Sequence, residues 1–308
     1  MIVYNFGSIN IDHVYRVSHF VRPGETMTSN DYQQVLGGKG ANQSIALGRA
    51  QCQVKHVGAI SHSDKGLLEV LKNSNVDVSE VVLGDVPTGH AIIQVNDEAE
   101  NAIVLFAGAN HCITSQQIDS VLSQASKDDW VLLQNETNNI DVIIERAKHF
   151  GLSVAFNPAP MNADVVKPLI EHIDLLIVNE VEAMDLCGVD SVASAQQQLQ
   201  TSYPELKVML TLGSQGVRYL HQNNVVEVNA FSVDAVDTTA AGDTFIGYAL
   251  AGLQSISYKH QSGNDEQSVE QVLRRACAAS ALCVTKHGAS SAIPPLASVN
   301  EFLEQHDA

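Results

Sequence analysis

The sequence predicts an α/β fold, with a mostly parallel central sheet covered by helices and a small separate β-sheet as a lid. Three observations point there. In the second half, short runs at 131–134, 153–156, 175–178 and 208–212 are apolar or β-branched almost throughout. Strands buried on both faces of a parallel sheet read this way. The stretches between them, for example 141–149 and 192–199, carry helical periodicity, and such alternation implies parallel crossovers. In the first half, apolar runs at 90–95 and 102–106 flank a polar tip at 96–101, a hairpin signature that interrupts the alternation. The same pattern also hints at a site, because polar residues gather just beyond strand ends: Asn10 and Asp12, Glu136, Asn157, Asn179 with Glu182, and Thr211 with Gly213. In open α/β sheets, ligands bind beyond the carboxyl ends of the strands.

Residues 1–7 read as the first strand, stopped at Gly7 and Ser8. Asn10 and Asp12 follow at alternate positions, so an extended chain puts them on one face. Residues 14–35 are turn-broken, with Pro23 and Gly24 in the middle. They read as a strand-turn-strand excursion that joins the 90–106 hairpin in the lid. Gly37, Gly38 and Gly40 then demand a backbone that bends or is approached closely. A helix over 42–49 follows, and no G-x-x-x-x-G-K-[ST] loop occurs anywhere. Strand 54–60, helix 65–73 and strand 78–83 continue the alternation. Beyond 212, a hairpin spans 219–228 around Gln222, Asn223 and Asn224. An apolar small-residue helix at 245–253, a polar loop at 257–267 and a second helix at 268–285 come next. A loop at 286–292 leads to Pro294 and Pro295, read as the stop of regular structure. No repeat or linker divides the chain, so 1–308 reads as one domain with lid segments at about 12–36 and 88–107.

Charge and cysteines narrow the function. A net charge of -18 repels nucleic-acid backbones and anionic lipid, so neither is expected as a partner. An anionic substrate would need a locally positive pocket built from amides, a few basic side chains or a metal ion. Cys52, Cys112, Cys187, Cys277 and Cys283 are odd in number and scattered, without C-x-x-C. That argues against a disulfide framework or structural zinc and for the cytoplasm. The first residues lack the features of a signal peptide, and no run approaches a membrane span of ~18 apolar residues.

The stretch 235–245 organises the rest. A polar loop becomes an apolar helix through the small residues Ala240, Ala241 and Gly242. Helix starts carry bare amides and a positive dipole end, which suit a phosphate. Asp243 beside such a site is electrostatically awkward unless it accepts a proton from an attacking hydroxyl. Taken alone, it is also an ordinary acid in a first helical turn. Asn10 and Asp12 taken alone are turn residues, and Asn179 with Glu182 taken alone is a helix cap.

Together the motifs resemble the PfkB carbohydrate-kinase family over nearly the whole chain. They are GSINID at 7–12, PGET at 23–26, GGKGANQ at 37–43 and AGAN at 107–110, then NPAP at 157–160, NEVEA at 179–183, TLGSQGV at 211–217 and the AAGD at 240–243. The resemblance implies a Rossmann-like three-layer α/β/α sandwich, a β-lid that often forms a homodimer, and in-line transfer of the ATP γ-phosphoryl to a sugar hydroxyl. It implies Asp243 as general base and the amides of Ala240, Ala241, Gly242 and Asp243 as an anion hole. Asn10, Asp12, Gly38, Lys39, Asn42, Glu136 and Asp243 would bind the sugar. Asn179, Thr211, Leu212, Gly213, Ser214, Gln215, Gly216, Gly242, Asp243 and Cys277 would line the ATP site, and Glu182 would help hold hydrated Mg²⁺. K⁺ would sit near Asp237, Thr239, Cys283, Lys286 and Gly288. At its last position Ala292 replaces the serine common in relatives, with Ser291 adjacent. The implied reaction is ATP-dependent phosphorylation of D-ribose at the 5-hydroxyl. 2-Deoxyribose or a related sugar, and a catalytically silent sugar sensor, remain alternatives. The lack of G-x-G-x-x-G after the first strand speaks against a nicotinamide enzyme.

Overall fold

The computed structural model describes residues 1–98, 100–259 and 265–307. The chain begins with β1 (Val3–Phe6), β2 (Asn10–Arg16), β3 (Asp31–Gly37), α1 (Lys39–Arg49), β4 (Val54–Ser61), α2 (Leu68–Lys72) and β5 (Val76–Gly84). It continues with β6 (Gly89–Val95), β7 (Asn101–Phe106), α3 (Ser115–Leu122), β8 (Trp130–Gln134), α4 (Ile140–His149), β9 (Ser153–Asn157) and α5 (Ala163–Val166). Then come β10 (Leu175–Asn179), α6 (Glu180–Cys187), α7 (Val192–Ser202), β11 (Lys207–Thr211), β12 (Val217–His221) and β13 (Asn224–Val228). The C-terminal part is α8 (Ala241–Lys259), α9 (Asp265–Val284) and α10 (Leu296–Asp307).

Nine strands form the main sheet in the order β13-β12-β11-β10-β9-β8-β1-β4-β5. Pairing is parallel from β5 to β11, and the β12–β13 hairpin adds two antiparallel pairings at one edge. Strand periodicity sorts the core into two layers. Val3, Leu132, Ala155, Leu175, Ile177 and Met209 face one side, where Ile45, Ala46, Tyr248 and Ala276 of α1, α8 and α9 cover them. Their neighbours Tyr4, Phe6, Val131, Leu133, Phe156, Leu176 and Val208 face the other side, under Ile118, Ile143, Leu186 and Leu199 of α3, α4, α6 and α7. Truncating a fully buried ring such as Phe156 to alanine would cost about 3–5 kcal/mol.

The lid is a second sheet in the order β3-β2-β6-β7. Two antiparallel hairpins meet through a parallel β2–β6 pair, so the segments 14–35 and 90–106 do join. The first strand of the lid starts at Asn10, soon after β1. Both residues of the Asn10 and Asp12 pair therefore belong to the lid sheet.

Some boundaries differ from the sequence reading. The helix expected at 65–73 begins as a 3₁₀ turn over His62–Leu67 before α2. The long helix α8 runs on to Lys259, into the polar stretch expected as a loop, and α9 begins at Asp265. The part of that loop at 260–264 lies outside the described residues. Pro295 does not end regular structure. Its carbonyl accepts the Val299 N–H at 3.3 Å and so opens α10. Among the described residues no helix is long and apolar enough to cross a membrane.

Candidate active site

Asp243 sits in the first turn of α8 and is 8% exposed. Two amides from α1 hold its carboxylate. Gln43 Nε2 donates to Oδ1 at 2.9 Å and Asn42 Nδ2 to Oδ2 at 3.0 Å. Ala240 just before the helix has φ 59°, a left-handed conformation that costs a non-glycine residue energy. Its carbonyl accepts the Thr244 N–H at 2.8 Å, while the Ala241 N–H turns back to Thr238 O at 3.3 Å. The Ala241 amide is thus engaged in the turn. Those of Gly242 and Asp243 are first-turn amides with no acceptor inside the helix.

The lid strand β2 carries Asn10 and Asp12, the latter near enough to Glu136 for the two charges to interact. Asn10 is buried, and its Oδ1 accepts from Asn110 Nδ2 at 2.7 Å; Asn110 Oδ1 in turn accepts the Ile9 N–H at 2.9 Å. Asn10 therefore has its own N–H groups left to offer. Gly37 pairs with Asn10 across β2 and β3, and a Cβ there would collide with the Asp12 carboxylate. Glycine is what leaves room for that acid. Gly38 has φ 91° and opens α1. Gly40 lets the helix start press onto the end of β1, since a Cβ would collide with the Ser8 amide. That close approach brings Lys39 into the site. Glu136 Oε2 accepts the Lys39 N–H at 3.1 Å and also the Ser8 hydroxyl.

The electrostatics follow from this crowding. Burial, with the Glu136 charge added, pushes the Asp12 carboxyl up to about 6. Burial also raises Glu136, although the Ser8 hydroxyl and Lys39 work against that. For Lys39, burial opposes the ammonium, but Asp243, Glu136 and Glu182 outweigh it and hold the pKa above its ordinary value. Lys39 thus stays cationic among carboxylates.

Lys39, Asn157, Asn179, Glu182, Thr211, Thr238, Ala240, Gly242 and Asp243 line one cleft at the carboxyl ends of β9, β10 and β11. Asn179 and Glu182 also form a complete capping box. Asn179 Oδ1 accepts the Glu182 N–H at 2.9 Å, and Glu182 Oε2 accepts the Asn179 N–H at 2.9 Å. The plainer reading of this pair and its place in the cleft both hold. Beyond Thr211, Leu212 is buried, Gly213, Ser214 and Gln215 form an exposed 3₁₀ turn, and Gly216 has φ 105°. Leu212, Gly213, Ser214, Gln215 and Gly216 are not part of the cleft lining, and neither is Cys277. It is buried in the apolar layer around α9, and burial pushes its thiol up to about 12.

The loop before α8 is tied to the loop after α9. Asp237 accepts the Thr239 N–H through Oδ1 and the Gly288 N–H through Oδ2, both at 2.9 Å. Burial acts against this carboxylate, but those hydrogen bonds and His287 keep its pKa low. Cys283 Sγ donates to Thr239 O at 3.8 Å, and Cys283 O accepts the Lys286 N–H at 3.2 Å. Ala292 is buried with no side-chain oxygen, and its N–H goes to Ala289 O at 3.1 Å; Ser291 Oγ lies against Gly288. Among the described residues no cluster of three or more His, Cys, Asp or Glu could hold a metal. The oxygens here are one carboxylate and backbone carbonyls, a set suited to a hard, weakly held cation.

Ser8, Gln43 and Asn110 were not singled out in the sequence as site residues, yet each fixes one that was. Their only signal was membership in the GSINID, GGKGANQ and AGAN motifs.

Comparison with known proteins identifies the family and the fold. A family profile described as pfkB family carbohydrate kinase matches residues 3–296. A ribokinase of Haemophilus influenzae is 36% identical over 310 residues, covering 97% of each chain. The crystal structure of a ribokinase from Thermotoga maritima superposes with a TM-score of 0.83 at 32% identity, covering 98% of this chain and 99% of the other. An Arabidopsis thaliana ribokinase complexed with ribose and ATP gives 0.83 at 26% identity, covering 98% of each.

Proposed function

The chain belongs to the PfkB family of carbohydrate kinases, and on that premise we propose that it transfers the γ-phosphoryl of ATP to the 5-hydroxyl of D-ribose. The observation that carries the reading is the meeting of Asp243 and Lys39 at the start of α8, with Glu136 and the lid residue Asp12 to one side and the cleft of Asn179, Glu182 and Thr211 to the other. The ribose- and ATP-bound relative supports both substrates.

Asp243 accepts the proton of the attacking hydroxyl as the bond to phosphorus forms, an effect worth roughly 10²–10⁴-fold. The amides of Gly242 and Asp243 and the Lys39 ammonium face the charge that builds on the transferring group. Most of the rate in this chemistry comes from such positioning and neutralisation. Asp12 and Glu136 accept from sugar hydroxyls, while Asn10 donates. A 2-deoxy sugar would leave a donor of Asn10 unpaired at a cost of about 1–3 kcal/mol, which favours ribose.

Glu182 would help hold Mg²⁺ through water, and Mg²⁺ neutralises phosphate oxygens when bound. Asp237 with the carbonyls near Thr239, Cys283, Lys286 and Gly288 would hold K⁺, with no side-chain ligand from Ala292. The lid's exposed Ile103, Val104, Leu105 and Phe106 support pairing with a second copy. Five free cysteines support a reducing, cytoplasmic setting.

The test is ATP consumption over a panel of pentoses and hexoses, with the product's phosphate position determined by NMR. Ribose 5-phosphate as the main product is expected. Sugar-dependent thermal stabilisation without turnover would favour a sensor, and faster turnover of 2-deoxyribose would reassign the substrate.

A further inference from the structure

We propose that Gln43 is a positioning residue for Asp243, held at the end of a buried, one-way chain of hydrogen bonds that aims its NH₂ group at the acid. The inference rests on the reading of Asp243 as the base. Gln43 is fully buried, and its amide hydrogens and oxygen are all engaged by other side chains, so it acts through Asp243 rather than on a substrate.

Gln43 Nε2 donates to Asp243 Oδ1 at 2.9 Å and to Asn157 Oδ1 at 3.1 Å, which uses both amide hydrogens. A glutamine could equally turn its oxygen toward a carboxylate, where it would repel. The groups behind it decide the matter. Gln43 Oε1 accepts from Gln134 Nε2 at 2.7 Å, and the same nitrogen donates to Asn5 Oδ1 at 3.0 Å. Asn5 Nδ2 donates to Gly40 O and to Ser44 Oγ, both at 2.8 Å. Ser44 Oγ then gives its own hydrogen to His56 Nδ1 at 2.9 Å, and His56 Nε2 donates to Gly7 O at 3.0 Å.

Two of these groups can act in one sense only. The carbonyls of Gly7 and Gly40 accept and never donate. The first fixes the His56 hydrogen on Nε2, leaving Nδ1 as an acceptor. Burial, relieved only slightly by the Gly7 carbonyl, pushes the His56 pKa down to about 4, so the ring is neutral as this arrangement needs. The second fixes the Asn5 amide. From there the polarity runs through Gln134 to Gln43 without a free choice. Asn5, Gln43, Ser44, His56 and Gln134 are each 0% exposed, so water does not compete at any of these side chains. Reversing one amide would set donor against donor or acceptor against acceptor, and an unsatisfied buried group is costly.

The result at Asp243 is a carboxylate pinned at both oxygens, by Gln43 on Oδ1 and Asn42 on Oδ2. Each oxygen keeps a second lone pair for an incoming proton. Asn42 belongs to the proposed sugar-contact set, and its own Oδ1 has no hydrogen-bond partner within the protein, whereas the amide hydrogens and oxygen of Gln43 are all engaged.

The test uses Gln43→Met, which keeps length and removes the hydrogen bonds; Gln43→Glu, which keeps shape and reverses the polarity; and Gln134→Met, one link further back. Folding is checked by thermal unfolding, and sugar and nucleotide binding by calorimetry. All rates are taken relative to the wild type with the sugar it turns over fastest. A wild type that phosphorylates no sugar overturns the kinase reading itself, separately from this inference. The expected result is a kcat lower by about 10–100-fold in Gln43→Met and lower still in Gln43→Glu, with KM values within about twofold. Gln134→Met is expected to lose about threefold or more in kcat with binding intact, and it decides the matter if the Gln43 variants do not fold. Unchanged kcat in a folded variant, or a loss shared equally by kcat and binding, would overturn the proposal.

Discussion

Asp12 shows how the site trades stability for binding. Its carboxyl is held up to about 6 in the fold, against about 4 for an unfolded aspartate. Between those values the folded chain binds more protons than the unfolded one, so stability falls as pH rises through this window. At neutral pH the ionised group destabilises the protein. Asp12→Asn should therefore raise the Tm at pH 7–8, with the gain fading below about pH 4, while sugar affinity falls. Calorimetric unfolding across pH and a sugar titration at about pH 7.5 check both parts. An unchanged or lower Tm at neutral pH would contradict this account of Asp12. Most residues of the candidate site could be proposed from sequence because short motifs carry them. The supports could not, because their contacts are distant: Gln43 and Asp243 are 200 positions apart. Cys277, assigned to the nucleotide site by resemblance, is buried in the apolar layer around α9, and nothing in its own sequence neighbourhood marks that burial.

The element that matters most is the start of α8. A Cβ added at Gly242 would meet nothing within 4 Å, so the space over this residue is open. Gly242→Ala should fold normally, with stability equal or up to about 1 kcal/mol higher from helix propensity. Its methyl would nevertheless stand where a phosphoryl group must approach, and turnover should fall about 10–100-fold. Steady-state kinetics beside thermal unfolding tests this, and full activity would show that phosphate does not approach there. The loop behind the helix leads to a second expectation. Asp237 ties it to Gly288, so a cation held there would rigidify the helix start. Turnover should be faster in K⁺ than in Na⁺ at equal ionic strength, and equal rates would count against such a site. At this scale the sequence was most misleading at α10. The residues Leu296, Val299, Phe302 and Leu303 repeat at helical spacing, and proline just before such a run opens a helix as readily as it ends one.

For the whole molecule, the parallel sheet was legible because strands buried on both faces are apolar along their length. Its strand order was not legible, because pairing is a long-range property. The sequence did expose the lid as a break in the alternation, although not the parallel β2–β6 pair that joins its two hairpins. The lid's edge strand β7 leaves Val104 67% exposed beside Ile103, Leu105 and Phe106. Unpaired apolar edges of this kind invite another chain. Light scattering should give about twice the 33.1 kDa chain mass for the wild type and a monomer for Val104→Glu. A monomeric wild type would remove the pairing role from the lid.

In the proposed reaction Asp243 takes the proton while the helix tip carries the phosphoryl group. Single-turnover phosphoryl transfer by Asp243→Asn, with ribose and ATP binding measured on the same preparation, addresses it directly. Binding within a few-fold of wild type and transfer slowed at least about 100-fold is the predicted result. Transfer at a near-normal rate would contradict it.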